Sequence, residues 1–503
     1  MNIIIQNADV LTLDRERPTF RADILIEGSK IAAVGSGLKA PEGQTRIIDG
    51  TGHLIIPGLI NAHFHSPVNH MKGCLDGYPL EIFMLYESPS IEDLLPSPRE
   101  AYVRTILAAL EMLRHGVTSV QDDAFFVPYP TPEIIDAVMQ AYADSGIRAR
   151  VALDQQDVPE SEKLPFLRDT LPADLYARLC AAPTFGKDEL LKAYAHLIST
   201  WHGACEGRLK AGVSCSAPQR VTVEYFEALD ELSRRHGLPF YAHMLETKTQ
   251  RVLGEERFGG RSLVRYVADL GLLSDRMNLI HGIWVDADDL DLIAANGTVV
   301  AHNPICNLRL GSGVMPFRQM RDRGIPICLG TDELAADDST NMWLTAKMTG
   351  LIHNISDPDY DRWPVANEIL DCLFTGGARA MHESHQLGAI EVGREADLAM
   401  LDLDTLAFTP MNDILKHLVY CENGSSVRMT MVAGQIVFEN GQVTTVNENS
   451  LRAEARDIFG KRRDALRGAA AQADAFLPGY REMHLRAAAR DVGINRWVSS
   501  AWR

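Results

Sequence analysis

Pro57-Gly58-Leu59-Ile60-Asn61-Ala62-His63-Phe64-His65 closes an apolar run that begins near Leu54. Read as a β-strand, the run points successive side chains to opposite sides, so His63 and His65 share one side. Two imidazoles at that spacing can reach one metal ion, and the end of a buried strand is where barrel enzymes build their sites. The pair is equally open to a plainer reading, a chance His-x-His on the surface. The rest of the chain decides between them.

Working outward, apolar runs of strand length recur at Val117–Asp122, Arg148–Asp154, Leu209–Ser216, Leu238–His243, Met277–His281, Thr298–Asn303 and Ile325–Asp332. Helical periodicity fills the intervals. Glu100–His115 carries apolar residues at three-and-four spacing and Gly116 as its stop, and Val223–His236 is closed by Gly237. Repeated strand–helix alternation predicts an α/β fold, a (β/α)8 TIM-type barrel over residues 57–385. A doubly wound open sheet gives similar alternation, and periodicity does not separate the two.

Short strand-like runs also precede and follow this region. Ile3–Leu11, Asp23–Glu27 and Lys30–Val34 lie in segment 1–56; Asp397–Asp402, Val427–Val432 and Gln435–Phe438 lie in segment 386–447. The two sets can pair into one small composite β domain. The tail, 448–503, reads as helices and ends with Trp497 and Trp502, which need a surface to bury against, on the barrel or on a second subunit.

Three more strand ends carry ligand-type residues. His243 closes Tyr241-Ala242-His243, and Glu246 follows on the loop beyond. His281 closes Leu279-Ile280-His281, and Asp332 closes Leu329-Gly330-Thr331-Asp332. Singly, each has a bland reading: a core histidine, a solvated glutamate, an aspartate capping the next helix. An aspartate ending a buried strand is costly, however, unless it is paired or bound to a cation. Four strands ending this way predict a metal site with Glu246 beside it as a proton carrier.

Net charge is -18, which disfavours nucleic acid and anionic membranes as partners. No segment is long and apolar enough to span a bilayer, and no secretory signal is visible. The eight cysteines are scattered without a Cys-x-x-Cys pair, which argues against a disulfide framework and against thiolate zinc. The expected compartment is a reduced cytoplasm.

Together these residues make the chain resemble the amidohydrolase superfamily, in the branch of S-adenosylhomocysteine and methylthioadenosine deaminases, guanine deaminase and triazine hydrolases. PGLINAHFH, LEMLRHGVTSV, HMLET, HNPICNLRLGSG, LGTD and MVAGQIV carry the resemblance, which runs from the first strands to about Asn447. It implies a barrel with a composite β-sandwich domain. It implies His63, His65, His243 and Asp332 as metal ligands, Glu246 as proton shuttle, and His281 and Asp332 as partners of an attacking water. Two-metal relatives carry a lysine at the end of strand four. Here that end is Ser214-Cys215-Ser216, and Lys210 sits at the wrong end, so one divalent ion is expected. Zinc suits nitrogen-rich ligation; iron and manganese remain compatible.

The implied reaction is hydrolysis of a C–N bond, deamination of an amino-substituted purine, nucleoside, pterin or triazine. An amide, urea, dechlorinating or dethiomethylating hydrolase is the alternative, and a non-catalytic binding protein on the same fold is a third reading. A small-molecule substrate and a homodimer or homotetramer are expected. Glu92 stands at the spacing of a ribose-binding glutamate, and it is equally a surface acid. Asn303, Asn307 and Arg309 follow strand seven and can bind a ligand or cap their loop. Ser216 stands where the nucleoside deaminases carry a histidine, Asp154-Gln155-Gln156-Asp157-Val158 lacks their arginines, and Glu333 replaces a usual glycine. These departures point to a different ligand, lined by Asn69, Met84, Gln156, Ser216, Gln219 and Trp343.

Overall fold

The computed structural model describes residues 2–13, 16, 18–87 and 95–498. Its first strands are β1 (Asn2–Leu11), β2 (Thr19–Glu27), β3 (Lys30–Gly35), β4 (Thr45–Asp49) and β5 (His53–Pro57). The central strands are β6 (Leu59–His65), β7 (Val117–Phe125), β8 (Arg148–Asp154), β9 (Leu209–Ala211), β10 (Val213–Ser214), β11 (Phe240–Met244), β12 (Met277–His281), β13 (Val299–His302), β14 (Ile327–Leu329) and β15 (Asp332–Glu333). The last are β16 (Leu398–Asp402), β17 (Val427–Val432), β18 (Gln435–Glu439) and β19 (Gln442–Val443).

The central strands are parallel and form two five-stranded sheets, β15-β6-β7-β8-β9 and β10-β11-β12-β13-β14. Helices follow most of them, which gives a TIM-barrel-like α/β fold. Strands of this kind are covered on both faces, and every residue of β6, β8, β11 and β12 is buried. The helices match their signals. Pro98–Arg114 starts at Ser97, whose Oγ accepts from the Glu100 N–H at 3.2 Å, and Val223–His236 ends at Gly237.

Three runs read as single strands are in fact broken. Leu54–His65 divides at Gly58: β5 pairs antiparallel with β16, whereas β6 pairs parallel with β7. The chain passes so close to the next strand at Gly58 that a Cβ there would lie 2.1 Å from Thr118 Oγ1. Leu209–Ser216 divides into β9, paired with β8, and β10, paired with β11. Ile325–Asp332 divides at Gly330 into β14, paired with β13, and β15, paired with β6. A Cβ at Gly330 would lie 2.7 Å from that of His63, so only glycine lets these strand ends converge.

The outlying strands from both ends of the chain share one nine-stranded sheet, in which β5 joins β1 to β16. Its buried face has a core of its own, including Ile5, Val10, Ile24, Ile55, Leu398 and Met431. Arg148, on β8, ties this sheet to the central strands through two bonds to the Asp397 carboxylate, 2.9 and 3.0 Å. Such planar, charge-assisted pairs fix orientation as well as distance.

The tail forms the helices Glu448–Ala473 and Leu477–Ala489. Beyond them Trp497 packs edge-on against Trp284, ring centres 5.1 Å apart, and its Nε1 donates to the Gly311 carbonyl. One expected tryptophan therefore finds its surface on the central fold; Trp502 lies outside the described residues, as does Glu92. Among the described residues no helix is long and apolar enough to cross a membrane.

Candidate metal centre

The four strand ends converge. The ligand atoms of His63, His65 and His243 all lie within 4.8 Å of one another, and so do those of His63, His281 and Asp332. Asp332 Oδ1 is 3.3 Å from His63 Nε2 and 3.4 Å from His65 Nε2, and its Oδ2 is 3.6 Å from His281 Nε2. All five side chains are buried. The backbone turns sharply to deliver them: Ser216, Leu245, His281 and Asp332, each at a strand end or just past one, have φ between 53° and 74°. Non-glycine residues occupy that left-handed region at a cost of order 1–3 kcal/mol, and they cluster at functional sites.

Three of the four histidines are oriented from behind. His65 Nδ1–H donates to the Asp123 carbonyl at 2.5 Å, His243 Nδ1–H to the Ser216 carbonyl at 2.7 Å, and His281 Nδ1–H to Asn307 Oδ1 at 2.9 Å. A donor at Nδ1 leaves Nε2 with its lone pair facing the centre. His63 Nε2 is buried without a hydrogen-bond partner. Burial lowers His63, and burial together with the neighbouring imidazoles lowers His243 further, so both rings are neutral, the form that binds metal. For His65 the Asp332 carboxylate outweighs burial and raises the ring instead. Asp332 is held well below the usual carboxylate range: burial opposes ionisation, and His63, His65 and His281 overcome it. The orphaned His63 nitrogen, the lowered His63 and His243 rings, and the Asp332 carboxylate, whose negative charge is what raises His65 and would equally attract a cation, fit a divalent ion.

Glu246 sits where the chain turns out of β11 at Leu245, not on the strand itself. Its N–H donates to Gln250 Oε1 at 2.8 Å, its Oε1 lies 3.4 Å from Ser312 Oγ, and its Oε2 lies 3.3 Å from His281 Nε2. Burial, followed by the Asp332 and Glu333 carboxylates, pushes Glu246 well above the ordinary range, which favours its protonated form. A buried acid with a raised pKa, 3.3 Å from a histidine nitrogen, is an arrangement for moving protons.

Other expected residues have varied fates. Asn307 supports the His281 ring as the acceptor at Nδ1, and Asn303 lies beside it, its Nδ2 3.5 Å from the same nitrogen. Ser216 serves His243 through its carbonyl, and its Oγ accepts from Arg220 Nη1 at 3.2 Å. Gln219, Gln156 and Met84 line a cavity of about 410 Å3 that adjoins the metal site. Lys210 binds Glu383 far from the ligands, as its place at the start of strand four requires. Three expectations are corrected. Trp343 is fully buried in the core, and its Nε1 donates to the His115 carbonyl, ahead of β7 and away from the ligand-bearing strand ends. Arg309 reaches Leu75 O and Asp338 on a partly exposed loop. Asn69 donates to the Arg104 carbonyl.

The structure adds residues that sequence reading passed over. Asp123, two residues before the end of β7, and Asp154, which ends β8, are buried, with Asp123 Oδ2 3.9 Å from His243 Nδ1 and Asp154 Oδ2 4.0 Å from His65 Nδ1. Asp154 is an acid closing an apolar run, the signal already used for Asp332. Glu333 faces the same pocket; burial, with Asp332 beside it, brings it up to about 7. Glu87, behind it, is raised well above the ordinary range by burial and by Glu333. Nothing in the pattern of Leu80–Glu87 singles Glu87 out.

Residues 54–437 match the model of the Amidohydrolase family. A 5'-deoxyadenosine deaminase of Methanosarcina mazei is 29% identical over 456 residues, 90% of this chain and 97% of that protein. A 5-methylthioadenosine/S-adenosylhomocysteine deaminase of Nitratidesulfovibrio vulgaris is 30% identical, over 91% of this chain and 97% of its own length. The solved structure of an atrazine chlorohydrolase of Arthrobacter aurescens, complexed with zinc, superposes with a TM-score of 0.80 at 25% identity, covering 91% of this chain and all of that one.

Proposed function

The chain belongs to the amidohydrolase family, and from that premise we propose that it is a metal-dependent hydrolase of carbon–nitrogen bonds that deaminates an amino-substituted nitrogen heterocycle. The observation that carries this reading is the meeting of three imidazoles and the Asp332 carboxylate at one buried point, with the Glu246 carboxyl 3.3 Å from His281 Nε2 beside it. The two deaminase relatives favour an amine as leaving group.

His63, His65, His243 and Asp332 would hold the ion. Such an ion supplies Lewis acidity that makes a bound water easy to deprotonate near neutral pH. His281, lowered to about 4 chiefly by burial, is neutral and presents Nε2 as an acceptor for a proton of the attacking water; Asp332 Oδ2, 3.6 Å away, shares that task. Glu246 donates its proton to the ring nitrogen next to the carbon under attack. That carbon forms its bond to the water oxygen and loses the amine as ammonia; one water proton, first taken up by His281 or Asp332, goes to the leaving nitrogen, and the second, released as the new hydroxyl becomes a carbonyl, restores Glu246. The buried setting keeps bulk water from competing for these protons.

We read the ion as a single zinc. The nitrogen-rich ligand set supports zinc. Support for one ion comes from Ser214, Cys215 and Ser216 at the end of strand four, where no lysine stands. We also read the two five-stranded sheets as one closed barrel over 57–385, because β15 pairs with β6 and β9 runs into β10. The shared nine-stranded sheet, with its own core, supports a β-sandwich domain from 1–56 and 386–447.

The test is ammonia release by the zinc-loaded protein from purines, nucleosides, pterins, pyrimidines, triazines and ureas. Ammonia from a heterocycle supports the reading. Chloride from a chlorotriazine without ammonia would replace it with the dehalogenating alternative that the atrazine chlorohydrolase likeness favours.

A further inference from the structure

We propose that Glu333, backed by Glu87, reads a hydrogen-bond donor carried on the substrate ring itself, so that the preferred substrates bear a second ring N–H or amino group besides the amine that leaves. The proposal rests on the deaminase reading and names its substrate class.

Glu333 ends β15 directly after Asp332 and pairs in register with His65. One of its carboxylate oxygens lies within 4.8 Å of the ligand atoms of both His65 and Asp332, and the side chain faces the inner pocket. It is 9% exposed, and its Oε2 has no partner. Glu87 is 3% exposed and hydrogen-bonds to Glu333. A proton held between the two carboxyls leaves Glu333 as the acceptor that faces the pocket; a ligand that supplies an N–H group there removes the cost of its burial.

The cation that faces this pocket, Arg220, comes from the far side. It follows β10, whereas Glu333 lies on β15, past β11, β12, β13 and β14 in the order of strands. The pocket therefore presents the Arg220 donor from one sheet and the Glu333 acceptor from the other, with Asp154 and Glu246 as further carboxyls on its wall. A flat heterocycle with a carbonyl or ring nitrogen on one edge and N–H on the opposite edge matches that pattern.

Distance fixes where the donor must be. A group that reaches Glu333 lies beside the metal ligands, so it belongs to the ring under attack, not to an appendage. Appendages have their own space in the adjoining cavity of about 410 Å3. An adenine ring substituted at its sugar-bearing nitrogen carries no N–H donor other than the leaving amine. A diamino- or lactam-type ring carries one. A ribose hydroxyl is the other possible donor.

The experiment uses the zinc-loaded protein with the 9-methyl derivatives of 2,6-diaminopurine and adenine, which lack the imidazole N–H of the free bases, and with the riboside of each. The wild type should favour the diamino compound by at least about 30-fold in kcat/KM, with or without ribose. E333Q, E333L and E87Q should bring the ratio within about threefold, chiefly through KM, at unchanged zinc content. Dissociation constants of the same compounds, from calorimetry, should show the same collapse. Loss of zinc in E333Q would overturn the proposal by making Glu333 a ligand. A ratio untouched by all three variants, or a preference set by ribose alone, would overturn it as well. If no compound releases ammonia yet the variant-sensitive difference in binding persists, the donor subsite stands and the deaminase reading falls.

Discussion

His302 Nε2 lies 3.1 Å from His353 Nε2, with both rings buried in the core and Phe317 stacked on His353. Two facing nitrogens this close share a single proton, one ring donating and the other accepting, so both rings are neutral.

Burial, with Arg318 nearby, lowers His353 to about 3, and burial also lowers His302. Above the unfolded value near 6.5 the rings are neutral in both states and pH has no leverage. Below it the unfolded chain takes up protons that the folded one refuses, so stability falls as pH drops from about 6.5 toward 3. The loss from His353 alone approaches about 4 kcal/mol at the acid end. His353→Phe should flatten this limb; melting temperatures at pH 4.5 and 7.5 for both proteins check it, and equal acid shifts would refute it.

Glu246→Gln keeps the size and the hydrogen-bonding reach of the side chain but removes the transferable proton. Zinc content should be unchanged and kcat should fall by about 100-fold or more. A variant that turns over at the wild-type rate would remove Glu246 from the chemistry.

Asn307 acts through His281. Replacing it by leucine deletes the acceptor at Nδ1 and lets the ring change tautomer. We expect kcat to fall by about 10- to 100-fold with KM nearly constant, and Asn307→Asp, which keeps an acceptor, to recover most of the loss. An equal defect in both variants would indicate a packing role only.

Arg496 staples the tail to two loops of the site: its Nε donates to Ile283 O, its Nη2 to Val285 O, and its own carbonyl accepts from Val314 N–H. Those loops carry Ser312, 3.4 Å from Glu246. Arg496→Ala should cost about 2 kcal/mol in chemical denaturation and lower kcat. Full activity at reduced stability would confine the residue to the scaffold.

Metal removal should act on both activity and stability. A chelator should abolish turnover and lower the melting temperature, and zinc at 1,000 times its Kd should restore about 4 kcal/mol. A melting curve indifferent to zinc would rule out a site formed by these ligands.

The metal centre was legible because it is written in local pattern. His63, His65, His243, His281 and Asp332 each close an apolar run, and the alternation of those runs places their ends together. What was not legible depends on which strand lies beside which. Gly58 and Gly330 break their strands because Thr118 and His63 come too close, and neither neighbour is near in sequence. Trp343 looked like a ligand platform but is held by a carbonyl of His115. Glu87 sits on a helix whose composition marks no face as special; only its approach to Glu333 gives it meaning.

The sheet that joins the two ends of the chain sets an order of assembly. Residues 54–57 of β5 find their antiparallel neighbours only when residues 398–401 of β16 have been synthesised. Until then the ribosome holds a nascent chain with an uncovered strand edge, an invitation to mispair with other chains. Folding of this protein is thus tied to completion of translation, and a pause late in the message exposes more sticky surface than one early on.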